Sequence, residues 1–479
     1  MTKAVGQQNR MQKRNFKMLS GGVRFARPPA TVFDHFVVPI ANASLLCNLT
    51  DTEQAGFFAP LLAGDLAWGS MNAKTISLGC LGLLCAGLLL VTFSIGLRQY
   101  RVRAQLQAIA SNGDPISLSG LGDPTPVSVW PMADKVNARS KILDVTEPSE
   151  RLYKKLQPYL NSNAAADHHQ PLSAQNEALF EDAFQKHPQV LPALRDASHC
   201  QRYAWPSPLT PPGVMPPDQY MQVLLKEVSR LRMVGRLMLC GSRFLAAKGK
   251  VDESAMLCVD LMRLTGLQET GPTVVVYQTN VAIRQSAIDQ LNAILQADPL
   301  DPGTHAAIEQ VLAEHESSDA FLHALKTERA YGIASFESMG MIWSISGGLQ
   351  DYLSAMKTQI DLGKTPTCDL PATRGPPLGA LSQIAMTAVD ACRASFERDR
   401  IRCRCLRILN AIRMHELTGE ELTRDQLDLP VIATQDPYSG DPLKIEKTSG
   451  EGWRIHSVGP NPFKNAANQR NSEDLGLSP

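Results

Sequence analysis

The stretch from Pro217 to Leu267, PDQYMQVLLKEVSRLRMVGRLMLCGSRFLAAKGKVDESAMLCVDLMRLTGL, decides the fold of this chain. Its first part predicts an amphipathic helix over about 217–248, because apolar residues recur there at helical spacing: Tyr220, Leu224, Leu231, Val234, Met238 and Leu245. Gly249 ends that helix, and Asp252-Glu-Ser begins a second one that runs to about Leu267. The stretch therefore predicts two consecutive helices joined by a short turn.

The same helical spacing continues on both sides of this pair. Upstream, helices are expected near 151–160 and 172–186, and from His187-Pro188 to about Ser198. Downstream, they are expected near 273–296, 303–314, 317–338, 344–360 and 380–417. The proline-rich stretches Trp205–Pro217 and Gly363–Gly379 interrupt the pattern as linkers or wraps. Since no regular repeat is visible, the sequence predicts an irregular α-helical hairpin array.

The composition fits a helical protein with a sizeable core. The 479 residues are 44% hydrophobic but only 6% aromatic, and 47 Lys and Arg are balanced by 47 Asp and Glu. Wholesale disorder and a collagen-like structure are excluded. A net charge of zero argues against a dedicated nucleic-acid binder, which normally carries an excess of Lys and Arg. No nucleic acid is therefore expected among the partners.

The clearest single feature is Thr75–Leu97, TISLGCLGLLCAGLLLVTFSIGL, which is 23 residues without a charge, Asn, Gln or Pro. As a helix it reaches about 34 Å, enough to cross a hydrocarbon core of about 30 Å. It is longer than the apolar part of a signal peptide, and it lacks an Ala-x-Ala-like exit. We therefore predict one uncleaved transmembrane anchor at residues 71–98, with the lipid bilayer as its partner through residues 75–97.

The flanks of this segment bear on where the chain starts and how it is oriented. Met71-Asn-Ala-Lys74 has the layout of the start of a signal anchor. Residues 1–70 are therefore predicted to be either an untranslated stretch or a poorly ordered extension. Lys74 precedes the span whereas Arg98, Arg101 and Arg103 follow it, and this count favours a cytoplasmic C-terminal part.

The C-terminal part changes from a helical to an alternating pattern. Asp436-Pro-Tyr-Ser-Gly-Asp-Pro442 is turn chemistry, and the alternating runs 443–447 and 453–458 flank a second turn, which predicts a β-hairpin. The remaining division is a connector at 99–150, a helical domain at 151–418, a hairpin module at 419–461 and a disordered tail at 462–479. The predicted fold class is mainly α: one transmembrane helix, then an α-helical hairpin array with a small C-terminal β-hairpin.

Three segments carry a resemblance to a known group of proteins. They are RQYRVRAQLQAIASNGDPISLSGL at 98–121, CGSRFLAAKGKVDESAMLCVDLMRL at 240–264 and DPYSGDPLKIEKTSGEGWRIHSVGPN at 436–461. Together with the anchor, they resemble uncharacterised single-pass membrane proteins of planctomycete-type bacteria, over most of residues 71–461. The resemblance implies a large domain outside the cytoplasm, against the charge count, and we follow it. It implies no activity and no catalytic residues.

The last of these segments is also similar to the C-terminal hairpin of type II secretion pseudopilins, where an Asp-Pro-x-x-Gly-x-Pro turn precedes a strand ending near Ser-x-Gly. The chain departs from that family because it lacks the prepilin cleavage site and the Glu near the start of the membrane helix. The similarity implies a calcium site, with Asp436 and Asp441 as candidate ligands. Two carboxylates in a Pro/Gly turn are otherwise turn formers, which is the interpretation we favour.

Searches for catalytic motifs give negative results. The sequence contains no phosphate-binding loop, no dinucleotide-binding glycine motif, no Gly-x-Ser-x-Gly elbow and no Cys-x-x-Cys pair. The nearest pattern to a zinc site is His315-Glu316-Ser-Ser-Asp319 with His323 one turn further on. His315, Asp319 and His323 would share a helical face, but the outer two would lie about 12 Å apart, too far to share one ion. We interpret them as a solvated polar stripe.

Two further sets of residues have candidate roles. Seven cysteines follow the span, and an extracytoplasmic location permits a disulfide among them, although buried apolar cysteines are the expected state: Cys200, Cys240, Cys258, Cys368, Cys392, Cys403 and Cys405. The helix near 390–415 carries seven arginines against Glu397 and Asp399: Arg393, Arg398, Arg400, Arg402, Arg404, Arg407 and Arg413. Such a stripe suits anionic lipid or an acidic partner, but a solvated, salt-bridged face is the expected role.

The sequence thus assigns no catalytic, cofactor-binding or metal-binding residues, and no cofactor is expected. It predicts a bacterial inner-membrane protein whose helical domain, residues 151–418, faces the periplasm and has a structural or interaction role with a protein partner. A pseudopilin-like secretion component is the alternative. An enzyme with an unrecognised site comes third.

Overall fold

The computed structural model describes ten parts of the chain: residues 73–122, 137–162, 168, 170–210, 213–340, 348–370, 380–415, 424–448, 452–459 and 475–479. Within them, residues 73–81, 83, 380–382, 384, 385, 424 and 425 are described by their backbone alone. The predicted extension at 1–70, the middle of the predicted connector and most of the predicted tail lie outside these parts. The chain divides into two compact units, Met1–Ala86 and Gly87–Pro479.

The described chain is mainly α-helical, as predicted. Its α-helices are α1 Ala73–Ser111, α2 Ala138–Asp144, α3 Thr146–Leu160, α4 Ala174–Lys186, α5 Val190–Ser198, α6 Pro217–Ala247, α7 Val251–Leu267, α8 Val274–Ala297, α9 Pro302–Glu314, α10 Asp319–Ser338, α11 Gly348–Gly363, α12 Ala380–Met414 and α13 Val431–Thr434. Short 3₁₀ turns lie at Leu118–Gly120, Gln268–Thr270, Thr367–Asp369 and Arg424–Leu427. Consecutive helices α6, α7 and α8 pack on one another, and α8 also packs along α12.

The strands form two small antiparallel sheets. The first pairs β1 Leu209–Thr210 with β2 Gly213–Val214. The second contains β3 Lys444–Lys447, β4 Trp453–His456 and β5 Gly476–Leu477, in the order β3-β4-β5. Ile445 faces Ile455 across the β3-β4 pair, which confirms the predicted C-terminal hairpin.

The buried side chains form two hydrophobic clusters. The larger one is built by α2 to α9, the second half of α12 and the C-terminal sheet, with Leu237, Leu291 and Leu409 among its members. The smaller one joins the start of α8 to α10, α11 and the first half of α12, with Phe321 stacked on Phe396 at 4.8 Å between ring centroids. The end of α1 packs against this second cluster.

Two boundaries differ from the prediction. The predicted irregular connector at 99–150 contains α2 and the first turn of α3. The Asn137 side chain caps α2 by accepting hydrogen bonds from the backbone N–H groups of Arg139 and Ala204, at 3.1 Å each. This cap depends on a residue far along the chain, so local sequence patterns did not show it.

The predicted disorder of 462–479 is wrong for the last five residues. Gly476 and Leu477 add a third strand to the hairpin, and Leu477 is buried in the larger cluster. Asn292 on α8 donates a hydrogen bond of 2.9 Å to the carbonyl of Ser478. The end of the chain is therefore part of the folded body.

Helix α1 contains the predicted membrane span. Among the helices that the structure describes with their side chains, none is long and apolar enough to cross a membrane. The start of the predicted span 75–97 lies outside those side chains, because residues 73–81 and 83 are described by backbone alone. The described apolar side chains from Leu84 to Phe93 are largely exposed, with Leu88 and Phe93 each at 69%.

Candidate functional site

A cavity of about 410 Å³ opens where the C-terminal ends of three helices meet. Ser198 is the last residue of α5, Gly266 and Leu267 end α7, and Glu314 ends α9. The lining is completed by Arg263, Glu269 and His315. Because helix C-termini carry partial negative charge and carbonyl groups without helical partners, their convergence gives the cavity a negative potential.

One wall of the cavity is a network of charged groups that continues into the core. Arg284 on α8 is fully buried and donates from Nη1 to Glu269 Oε1 at 2.7 Å. On its other side it donates from Nε and Nη2 to Asp399 Oδ2, at 2.8 and 2.5 Å. One arginine therefore joins a carboxylate at the cavity to a carboxylate on α12.

His315 completes this wall. Its Nδ1 lies 3.1 Å from both Glu269 Oε1 and Arg284 Nη1. Its Nε2 lies 3.2 Å from the carbonyl oxygen of Met262, so Nε2–H donates to α7. Gly266 permits this approach, because a Cβ there would lie 3.3 Å from the imidazole Cε1. With its proton on Nε2, the ring accepts from Arg284 at Nδ1, and it thus joins Arg284 to the end of α7.

The charges in this network hold each other ionised. Burial alone would raise the pKa of Glu269, but Arg284 and His315 outweigh it and lower the pKa to about 2. Burial alone would lower the pKa of Arg284, but Asp399 and Glu269 outweigh it and hold the pKa well above its ordinary value. The cavity wall therefore carries a permanent carboxylate charge near neutral pH.

A second buried carboxylate holds the rim of the cavity. Asp260 on α7 has no exposed surface and accepts from Arg195 Nε at 3.1 Å and from Arg263 Nη1 at 3.2 Å. His199 Nε2 lies 3.1 Å from Oδ1 of the same carboxylate. The Ser198 hydroxyl is used within α5, where it donates to the Arg195 carbonyl at 2.7 Å. Asp260 is thus shared between two arginines, so Arg263 keeps part of its charge at the cavity.

The structure separates the three residues of the proposed stripe. His315 follows the end of α9, Asp319 begins α10, and His323 lies one turn into α10. The interpretation of His315 as part of a solvated stripe is wrong, because the residue is buried. His323 donates from Nε2 to the carbonyl of Thr270 at 3.0 Å, and burial lowers its pKa. Residues 315–318 interrupt the helix, which breaks the spacing that the stripe needs.

Several arginines of α12 form ion pairs and hydrogen bonds with neighbouring helices instead of facing solvent. Arg404 and Arg407 are buried and pair with Glu316 and Glu309 near α9, at 3.2 and 2.5 Å. Arg393 donates to the carbonyls of Gln359 and Leu362 on α11, and other members of the set form ion pairs: Arg400 with Glu397 and Arg402 with Asp289. The expected salt bridges are present, but the expected solvation is wrong for Arg404 and Arg407.

The other candidate residues have structural surroundings. Cys240, Cys258, Cys392, Cys403 and Cys405 are buried as free thiols, which confirms the expectation for these five. The carboxylate of Asp436 accepts from the backbone N–H groups of Tyr438 and Val458 and from the Ser457 hydroxyl. Asp441 is exposed, and its carbonyl accepts from Asp436 N at 2.7 Å. Asp436 is therefore a turn former.

Sequence patterns missed the charged residues of the cavity. Glu269, Asp260 and Asp399 lie in different parts of the chain, and only folding brings them to one place. Arg284 does leave a trace, because it is a lone charge in the apolar run VVVYQTNVAIRQSAI at 274–288. A single arginine on an apolar helix face implies a buried carboxylate partner, since an unpaired charge there would be costly.

The arrangement is a cavity lined mainly by polar and charged side chains. Within the described parts of the chain, no group of three or more His, Cys, Asp or Glu residues is placed to hold a metal ion. Comparison with protein-family models, with curated proteins and with solved structures finds no match.

Proposed function

We propose that this protein is a bitopic protein of the bacterial inner membrane, anchored by residues 75–97, whose helical body is a periplasmic interaction module. The anchor is supported by a difference along α1, one part of which has exposed apolar side chains and the last part of which is packed. Over residues 84–97 its large apolar side chains are exposed: Leu84, Leu88, Leu89, Leu90, Val91, Phe93 and Leu97. Such a surface on all sides of a helix is costly in water and suits a hydrocarbon solvent.

The next turns of the same helix are fixed to the body. Val102, Leu106 and Ile109 pack against the smaller hydrophobic cluster. Gln105 donates from Nε2 to the Ser354 hydroxyl on α11 at 3.2 Å. The packed part of α1 therefore begins just after the end of the predicted span 75–97.

Asp114 locks the end of α1 in place. Its carboxylate pairs with Lys326 at 2.9 Å and with Arg329 at 2.8 Å, both on α10. Burial raises the pKa of Asp114, but the two cations outweigh it and lower the pKa. The surface of this body is the one that we propose for a protein partner. The resemblance to single-pass membrane proteins is the reason for placing that surface in the periplasm.

The test of the anchor is alkaline carbonate extraction of membranes from bacteria that express the full chain. The wild-type protein should stay in the membrane pellet. The double variant Leu84→Arg/Leu88→Arg should be released, because each arginine near the bilayer centre costs about 2.5–3.5 kcal/mol in insertion experiments. Tyr100→Arg is the matched control, since Tyr100 is 74% exposed on the same helix but lies beyond the span. Release of the wild-type chain would overturn the anchor.

The side of the membrane is tested separately. Protease treatment of intact spheroplasts should remove a C-terminal tag from the wild-type protein. Protection of the tag until lysis would place the body in the cytoplasm, in agreement with the three arginines after the span.

A further inference from the structure

We propose that the cavity between the ends of α5, α7 and α9 binds a small organic ammonium ion. The proposal is independent of the membrane anchor and rests on the geometry and charge of the cavity. The last residues of three helices line the cavity, together with the carboxylates of Glu269 and Glu314 and the guanidinium of Arg263. Each such terminus is equivalent to roughly half a negative charge.

Three arginines lie near the cavity, and each pairs with at least one carboxylate. Arg284 shares its charge between Glu269 and Asp399, and the buried carboxylate of Asp260 pairs with both Arg195 and Arg263. Glu314 is exposed and only its Oε1 takes a hydrogen bond from the described residues, 3.1 Å from Gln310 Nε2. The three arginines thus face four carboxylates, those of Asp260, Glu269, Asp399 and Glu314, so the net charge of these groups is negative, which favours a cation.

An ammonium group fits the donors and acceptors that remain. Glu269 accepts through Oε1 from Arg284. Within the described chain its Oε2 accepts no hydrogen bond, although 20% of the side chain is exposed at the cavity. An –NH₃⁺ group has three donors and no acceptor, so it matches carboxylate oxygens and C-terminal carbonyls together.

The size of the cavity favours an organic cation over a bare metal ion. A volume of about 410 Å³ falls within the range of about 300–1,000 Å³ for small-molecule sites. The apolar part of the lining, Leu267 beside Gly266, offers a surface for the carbon chain of an amine. A linear diamine has both ammonium groups for the carboxylates and an apolar carbon chain for this surface.

The test uses 1,4-diaminobutane as the probe, with the full-length protein in detergent. Its binding is measured by calorimetry and by the shift in melting temperature. The neutral isostere 1,4-butanediol and sodium chloride at matched ionic strength are the ligand controls. We expect the diamine to bind and both controls to leave the melting temperature unchanged. Absence of diamine binding, or equal effects of the diol or the salt, would overturn the proposal.

Two variants with opposite expected effects locate the site. Glu314→Gln should weaken diamine binding about tenfold or more, because it removes a charge-assisted contact. Arg263→Gln should tighten binding about two- to tenfold, because it removes a like charge from the lining. Glu253→Gln, an exposed acid on α7 away from the cavity, should have no effect. Glu314 is on the surface, so its variant should fold normally. Weaker diamine binding in Arg263→Gln, or unchanged binding in Glu314→Gln, would contradict the proposal.

Discussion

Glu269 and Arg284 place opposite charges at the boundary between the cavity and the apolar core. Their contact at 2.7 Å stabilises the fold only because Asp399 and His315 satisfy the remaining partners. A buried ion pair often contributes little compared with apolar residues of the same size, but removing one partner strands the other charge. The effect of such a change should therefore be large and dependent on pH.

Glu269→Gln should destabilise the protein at neutral pH and much less in acid. The folded pKa of Glu269, about 2, lies below the ordinary value of 4.5, so its ionised form contributes stability above pH 4.5 that is lost as the pH falls toward 2. The shift corresponds to about 3 kcal/mol. Urea unfolding followed by circular dichroism at pH 7 and pH 3 measures the difference.

Glu253→Gln is the control for this measurement, because Glu253 is 53% exposed at its side chain on the same helix, α7. The free energy of unfolding of Glu253→Gln should equal that of the wild type at both pH values. An equal loss for Glu269→Gln at pH 7 and pH 3 would show that the charge of Glu269 is not what stabilises the network.

For single residues, the sequence predicts which side chains are buried better than it predicts which residues they contact. Burial is expected for most of the seven cysteines after the span, and five of them are buried, whereas Cys200 is half-buried and Cys368 is exposed. His315 was misplaced because its role depends on Glu269, 46 residues away, and Arg284, 31 residues away. Local spacing contains no information on such contacts, so a histidine at a helix end looks solvated until the tertiary partners are known.

At the scale of elements, helix ends follow local chemistry and were mostly predictable. Asp301 accepts a hydrogen bond of 3.0 Å from Thr304 N, and Pro302 follows it, so α9 begins where the sequence indicates. Gly249, with φ of 73°, ends α6 in the left-handed region as expected. The packing between helices was not predictable, because it depends on which residue of one helix meets which residue of another.

Gly332 on α10 shows such a contact. Its Cβ position lies 2.2 Å from the hydroxyl oxygen and 2.4 Å from Cζ of Tyr352 on α11. Tyr352 is buried and donates to the Glu328 carbonyl at 3.0 Å, so its ring has little room to move. The absence of a side chain at residue 332 is what lets α10 and α11 approach.

Gly332→Ala should destabilise the protein, although alanine is the better helix former. Alanine gains about 1 kcal/mol of helix propensity, whereas forcing a methyl group against a fixed ring costs about 1–3 kcal/mol or more. At these distances we expect the steric cost to win. Thermal unfolding gives the net effect. Gly213→Ala is the control, because nothing lies within 4 Å of its Cβ position, and a stability of Gly332→Ala at or above that control would contradict the expected contact.

At the scale of the whole molecule, the segment that follows α1 and the C-terminal strand are both fixed to the helical body. Asp114 ties α1 to α10 through Lys326 and Arg329. At the other end, β5 covers β4, and its neighbour Ser478 binds Asn292 on α8. The sequence predicted the hairpin from its alternation, but a two-residue strand after a long polar stretch is too short for periodicity to reveal.

Leu477→Ala tests whether this last strand is an integral part of the fold. Leu477 is 3% exposed within the larger hydrophobic cluster, so its truncation should cost about 2–5 kcal/mol. Because β5 pairs with β4 at Ile455 and packs on α12, amide hydrogen exchange should quicken in β4 and in the facing part of α12 as well as at the terminus. Leu209→Ala, at a 42% exposed position on β1, is the control and should change stability by less than about 0.5 kcal/mol. Faster exchange confined to residues 475–479, with unchanged stability, would mean that the strand lies on the body without supporting it.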